Sequence, residues 1–419
     1  MRRIERAVSD VQETRKETAL EPSDLWRDPN PLAPDYSRFR VSERLLLSGH
    51  SHQAWPDRGF KGQIRAWEDA AKHVDEKWER AFERADRVRQ GYRRLLGGAD
   101  GPVALGPSTH DLLVKWISAL PLRQRPRLVT TDGEFHSLRR QLDRLAEVGL
   151  EVVKVAALPA ASVGERVAAT VDDRTAAAFV SAVFYRNAHV ASGLDRALAA
   201  CERVGTRLLV DVYHALNVLP FDLSEGGILG AAVTGGGYKY CQLGEGNAFL
   251  RLPPGDDLEP AVTGWFAEFD ALTANHRRGE VGWGSMESRF AGATYDPTSH
   301  YRASEVLDFF AERGLGVELL AESYRHQVRI LAERFDALDL DPALIDRDRS
   351  VPVDDLGGFL ALESPRAGAI RRALFERGVW CDHRETTLRL GPAPYLSDRQ
   401  LEAAVAAFDD AVRSLPARN

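Results

Sequence analysis

At 419 residues the chain is longer than one hydrophobic core normally organises, so one large and one smaller domain is the expected layout. Its 44% hydrophobic and 28% charged residues are those of a soluble globular protein, and a net charge of −7 argues against general nucleic-acid binding. The three cysteines, Cys201, Cys241 and Cys381, show no CxxC or CxxH spacing, so neither a disulfide framework nor a zinc site is implied, which suits a reducing cytoplasm.

Residues 1–45 read as an N-terminal segment, the first forty polar and proline-punctuated, more like an arm than a core element. The basic start lacks the apolar stretch of a signal peptide. No apolar run approaches the roughly 20 residues that span a bilayer, so a soluble cytoplasmic protein without membrane or nucleic-acid partners is expected. From Phe60 to Leu96 apolar residues recur at helical spacing: Phe60, Ile64, Trp67, Ala71, Val74, Trp78 and Phe82, with Gly97-Gly98 as the stop. The pattern predicts one long amphipathic segment whose aromatic stripe packs against the protein.

The middle of the chain alternates short apolar runs with helical stretches. Strands are predicted at Val103–Leu105, Leu128–Thr131, Val152–Val155, Ala177–Ser181, Leu208–Asp211 and Ala231–Thr234, with a helix such as Leu194–Val204 between. This alternation predicts an α/β domain over 46–300, a mostly parallel sheet covered by helices on both faces. Such sheets bind ligands beyond the carboxyl ends of their strands. Ser108, Phe135, Tyr185, Asp211 and Lys239 all fall at or just after such ends.

After about residue 300 the pattern becomes α+β. A helix over 317–338 carries Leu320, Tyr324, Val328, Leu331 and Phe335 on one face. A strand at 357–362, another at Thr387–Leu390, and a last helix with Leu401, Val405, Phe408, Val412 and Leu415 complete a smaller domain over 301–419, which N-terminal residues can join.

Gly235-Gly236-Gly237-Tyr238-Lys239 follows the strand-ending Asp211-Val-Tyr-His214 closely in sequence, and the pair suggests a site for a pyridine aldehyde. A desolvated lysine has a lowered pKa and can form a Schiff base. A carboxylate at a strand end is costly to bury alone, and a protonated pyridine nitrogen is a suitable partner. His214 can tune that site or be satisfied by backbone. Ser108 and Thr109 open a helical run, where amides and hydroxyls either cradle a phosphate or merely cap the helix. Phe135 is either a ring stacked on the cofactor or a core residue.

These residues together resemble the class V aminotransferase group of pyridoxal-phosphate enzymes, kynureninases in particular, over about Leu46 to Leu396. Asp211-Val-Tyr-His214-Ala-Leu-Asn-Val-Leu-Pro220-Phe-Asp222 is similar to the segment holding the pyridine-binding aspartate and its histidine. Gly237-Tyr238-Lys239-Tyr240 resembles the lysine loop, whose tyrosine also contacts phosphate. Phe184-Tyr185-Arg186 resembles the strand-end Tyr-Arg segment, and Gly264-Trp265 the pair whose indole reaches the phosphate. Gly378-Val-Trp-Cys-Asp382-His-Arg384 with Leu388-Arg389 and Pro394-Tyr395 is similar to the C-terminal signature.

The resemblance implies an aspartate-aminotransferase-like architecture (fold type I) with a seven-stranded sheet, and pyridoxal 5′-phosphate as cofactor. It implies that Lys239, Asp211 and His214 are catalytic and that Arg389 grips a substrate α-carboxylate. Arg384 is expected to be structural. It also implies a homodimer with its active site at the subunit interface, where Thr294 in Gly292–Pro297 touches the neighbour's phosphate. The expected activity is lyase or hydrolase cleavage at Cβ of an amino acid. Transamination and decarboxylation coupled to deamination use the same residues, and a non-catalytic protein of the same fold is the remaining alternative. Two departures stand out: Gly49-His50-Ser51-His52 replaces Gly-Asn-Ser-Leu, and Leu138 stands where a second aspartate is usual. His50 and His52 therefore either contact a different substrate or are loop histidines. Neither the substrate nor a role for His136 follows from the sequence.

Overall fold

The structure is a computed structural model that describes residues 20–271 and 279–415; residues 1–19 of the expected arm lie outside the described residues. The strands are β1 (Leu45–Leu46), β2 (Val103–Gly106), β3 (Arg127–Thr131), β4 (Glu151–Val155), β5 (Thr175–Ser181), β6 (Arg207–Asp211), β7 (Ala232–Gly236), β8 (Ala248–Arg251), β9 (Leu360–Glu363), β10 (Val379–Trp380), β11 (Asp382–Arg384) and β12 (Thr387–Leu390). The α-helices are α1 (Asp57–His73), α2 (Lys77–Leu95), α3 (Thr109–Ser118), α4 (His136–Glu147), α5 (Val163–Thr170), α6 (Leu194–Arg203), α7 (Met286–Arg289), α8 (Thr298–Glu312), α9 (Val317–Asp336), α10 (Ala367–Glu376) and α11 (Asp398–Arg413).

Seven strands form the central sheet in the order β2-β8-β7-β6-β5-β3-β4. β8 is antiparallel to both its neighbours, and the other pairings are parallel. The carboxyl ends of β2, β3, β5, β6 and β7 therefore share one edge, which gathers the loops that carry chemistry. β5 and β7 are buried along their whole length, as strands covered on both faces must be. The second sheet, β11-β12-β9, is antiparallel and packs with α9 and α10, on which α11 lies.

Two expectations are corrected. From residue 20 onward the N-terminal segment is core rather than arm: Leu25, Leu32, Tyr36 and Val41 are buried. The Asn30 amide donates to the Leu25 and Pro394 carbonyls at 2.7 and 2.9 Å, and the Tyr36 ring lies 4.8 Å from that of Tyr395. The long helical segment breaks at Val74, whose φ of 49° interrupts it between α1 and α2. Nor does its stripe pack inward on α1, where Phe60 and Ile64 are exposed and Trp67 is 80% exposed. Helix α1 instead turns Gly59, Gly62 and Ala66 inward. A Cβ on Gly62 would stand 2.4 Å from the Tyr301 carbonyl oxygen of α8, so only a glycine face permits that approach.

Among the described residues, no helix is long and apolar enough to cross a membrane, and no His/Cys/Asp/Glu group is arranged to hold a metal ion.

Candidate active site

A cavity of about 220 Å³ opens at the shared carboxyl edge of the sheet. Ser108, Thr109, Phe135, Tyr185, Asp211, His214, Tyr238 and Lys239 all line it. The site residues expected from scattered strand ends are thus brought to one place by the parallel topology.

Lys239 sits three residues beyond β7, on a loop closed by Leu243 N–H to the Gly237 carbonyl at 2.8 Å. Gly236 has no room for a side chain, because a Cβ there would meet Tyr213 Oη at 2.1 Å. The buried Lys239 amine is 2.7 Å from His214 Nε2 and 4.6 Å from the centre of the Tyr213 ring. Burial lowers the Lys239 pKa to about 7, partly offset by the charge of Asp211. The same burial, with the Lys239 and Arg389 charges, holds His214 neutral and well below its usual range.

Asp211 ends β6, and its Oδ1 accepts the Tyr213 N–H at 2.8 Å. Desolvation raises its pKa, while that hydrogen bond and Lys239 lower it. At the other end of the cavity Ser108 caps α3 by accepting the Asp111 N–H at 3.2 Å. Phe135 stands with its ring centre 5.3 Å from the Lys239 amine, and its ring meets Tyr185 edge-on at 5.2 Å.

Among the described residues, two buried polar atoms here have no partner: Thr109 Oγ1 and His214 Nδ1. Orphaned polar atoms in a cavity this size call for a polar ligand. The donors suit a phosphorylated pyridine aldehyde. Thr109, Ser108 and the α3 amides match its phosphate, Asp211 its ring nitrogen, Phe135 its face and Lys239 its aldehyde.

Arg389 is buried beside this cavity, and its Nη1 donates to the Tyr185 carbonyl at 2.6 Å. Its Nε donates to Asp382 at 2.9 Å, and its Nη2 donates to the other oxygen of the same carboxylate. His50 is fully buried with its Nε2 2.8 Å from Asp382, so it stands behind that carboxylate and does not line the cavity. His52 is exposed and stacks on Tyr238 at 4.9 Å, and His136 lies 5.5 Å from Tyr185.

Trp265 and Thr294 are not brought to Lys239 within the chain. Trp265 is 47% exposed and packs on Phe266 and Phe269. Thr294 lines a larger adjoining cleft of about 890 Å³, which shares Pro107, Glu245 and Gly246 with the cavity.

Three residues that the sequence did not single out also belong to the site. Tyr213 sits over Lys239, and Ser181 at the end of β5 lines the cavity beside its register partner Asp211. Glu134 is buried and accepts hydrogen bonds from Thr131 Oγ1 at 2.7 Å, Ser181 N at 3.1 Å and Ser181 Oγ at 2.6 Å. Burial, with a further contribution from Asp211, raises its pKa to about 7 despite those donors. The strand-end rule that selected Asp211 would also have selected Ser181.

No protein-family model matches the chain. It is 24% identical to an uncharacterised aminotransferase of Bacillus subtilis over 82% of this chain and 88% of that one. It is 26% identical to a kynureninase of Pseudomonas fluorescens over 87% of this chain and 88% of that one. Among solved structures it resembles a cystine C–S lyase in complex with cysteine persulfide (TM-score 0.74, 15% identity, 88% of this chain and 98% of that one). It also resembles a cysteine desulfurase from Thermococcus onnurineus (TM-score 0.75, 14% identity, 95% of this chain and 100% of that one). The chain is thus similar in sequence to an aminotransferase and to a kynureninase, and it has the fold of the pyridoxal-phosphate enzymes of fold type I.

Proposed function

We propose that this protein is a pyridoxal-phosphate enzyme that acts on an L-amino acid through charge developed at Cα, with kynureninase-like cleavage at Cβ by a hydrolase or lyase route. The observation that carries the reading is the convergence of Lys239, His214 and Asp211 on one cavity whose far end is a capped helix N-terminus.

When bound, the protonated cofactor ring supplies an electron sink for charge at the substrate Cα. The chain supplies the rest. Lys239, with its pKa near 7, would offer a neutral amine to hold the aldehyde and a base to move the Cα proton. Neutral His214 shares a hydrogen bond with that amine and orients it. Asp211 would keep a proton on the pyridine nitrogen, and Ser108, Thr109 and the α3 amides would hold the phosphate. Arg389 takes the substrate carboxylate, and Tyr185 walls the cavity beside it.

Cleavage at Cβ is supported by the kynureninase relative. Transamination is the second reading, favoured by the aminotransferase relative of similar coverage. Sulfur transfer through a protein thiolate is disfavoured: Cys201, Cys241 and Cys381 are all buried, and burial pushes the Cys201 and Cys381 thiols up to about 12 and Cys241 higher still. A homodimer would let Trp265 and Thr294 complete the neighbour's site. Gel filtration at low concentration tests this, and a stable active monomer would refute it.

The test of function is the visible spectrum of wild type and Lys239→Ala with pyridoxal phosphate, before and after L-kynurenine. A yellow wild type, a colourless variant and release of anthranilate are the expected results. A yellow wild type indifferent to kynurenine would remove kynurenine as the substrate and send the search to other amino acids, and a colourless wild type would remove the cofactor reading.

A further inference from the structure

Asp382 and Arg389 face each other across the β11–β12 hairpin, in register. The carboxylate takes the Arg389 Nε at 2.9 Å together with Nη2, which occupies one two-pronged edge of the guanidinium. Tyr185 takes one Nη1 hydrogen at 2.6 Å. An arginine has five N–H donors, so one hydrogen on Nη1 and one on Nη2 remain, enough for one further carboxylate.

Asp382 is itself held. His50 Nε2 lies 2.8 Å from its Oδ1, and a carboxylate can only accept, so this nitrogen carries the proton. The other ring nitrogen has no partner among the described residues, as expected of a neutral imidazole in that tautomer. Burial and the Arg389 charge hold the His50 pKa down to about 4, which agrees. The ring is wedged in place: Gly49 N–H donates to the Gly391 carbonyl at 2.7 Å, and a Cβ on Gly391 would stand 2.2 Å from His50 Nδ1. Phe359 packs on the ring at 4.8 Å.

We infer that Asp382, fixed by His50, is a positioning residue that aims the open edge of Arg389 at the substrate carboxylate. The inference rests on the proposed function above, because it needs Arg389 to receive that carboxylate. Asp382 acts through Arg389 in two ways. It fixes the plane of the guanidinium, and it supplies the counter-charge that lets a cation stay buried before substrate arrives. His50 is accordingly assigned to the scaffold of the substrate pocket and not to substrate contact.

The experiment titrates the cofactor-loaded protein with L-alanine and with ethylamine, the same molecule without its carboxylate, and follows the visible spectrum. Wild type is expected to favour L-alanine. Asp382→Asn, the same size without the charge, should weaken L-alanine by about tenfold or more, with ethylamine and pyridoxal phosphate affinities unchanged. His50→Leu should repeat that loss, and His50→Gln, which still offers an N–H, should restore most of it. Unchanged or tighter L-alanine binding by Asp382→Asn would overturn the inference, as would equal losses for both ligands. Arg389→Lys that binds L-alanine like wild type would overturn it while leaving the cofactor chemistry intact. A wild type with no visible band would instead overturn the proposed function.

Discussion

The Lys239 amine and the His214 Nε2 are 2.7 Å apart inside the protein, and neither group is charged there above about neutral pH. Two cations could not share that space, so burial itself prepares the lysine as a nucleophile. The neutral fraction of Lys239 should rise about tenfold per pH unit below its pKa of about 7 and level off above it. Uptake of pyridoxal phosphate by the apoprotein, followed by stopped-flow absorbance, should show that profile. A rate still climbing steeply at pH 9 would mean an ordinary, solvated lysine.

Asp211 is predicted to matter for rate more than for holding the cofactor. Its oxygen already has one backbone partner in Tyr213, so Asp211→Asn keeps the turn but loses the charge proposed to face the ring nitrogen. A charge-assisted hydrogen bond of roughly 1.5–3 kcal/mol corresponds to a kcat reduced about 10- to 100-fold. Steady-state kinetics with the identified substrate, beside a cofactor titration, separate the two effects. Equal losses in cofactor affinity and kcat would count against this division of roles.

Glu134 makes stability depend on pH in a definite direction. Its folded pKa is raised to about 7, above that of the unfolded chain, so its contribution is fully present below about pH 4.5 and is lost as pH rises through about 7. Glu134→Gln cannot ionise and should lack this component. Urea unfolding of the apoprotein at pH 5 and pH 8 should show the variant gaining on wild type at the higher pH. A constant difference would indicate that Glu134 is already ionised at pH 5.

The large sheet and the site at its carboxyl edge were legible because strand ends, glycines and a strand-ending carboxylate are local signals. Asp211, Lys239 and Ser108 could be placed together by the parallel-sheet rule alone. The β8 strand was harder, since Ala248–Arg251 is four residues long and runs against its neighbours. The Arg389–Asp382 pair depends on hairpin register, and its contact with His50 joins positions 332 residues apart, which no local pattern encodes. The α1 stripe misled for a related reason. Helical spacing reveals an apolar face, but the close approach to α8 is made by the glycines on the opposite face.

The last prediction concerns the space that Gly236 leaves for Tyr213. An alanine Cβ there would come 2.1 Å from the phenol oxygen and 2.5 Å from its ring carbon, so the ring must move. Tyr213 lines the same cavity as Lys239, with that amine 4.6 Å from its ring centre, and a displaced ring intrudes where the cofactor aldehyde must sit. Gly236→Ala should therefore lose about 1–3 kcal/mol of stability by overpacking and bind pyridoxal phosphate at least about tenfold more weakly. Tyr213→Ala in the same chain removes the clash, and the double variant should recover stability relative to the sum of the single changes. Thermal unfolding and cofactor titration of all four proteins complete the cycle. Additive losses would show that Gly236 is needed for its backbone and not for the room it gives Tyr213.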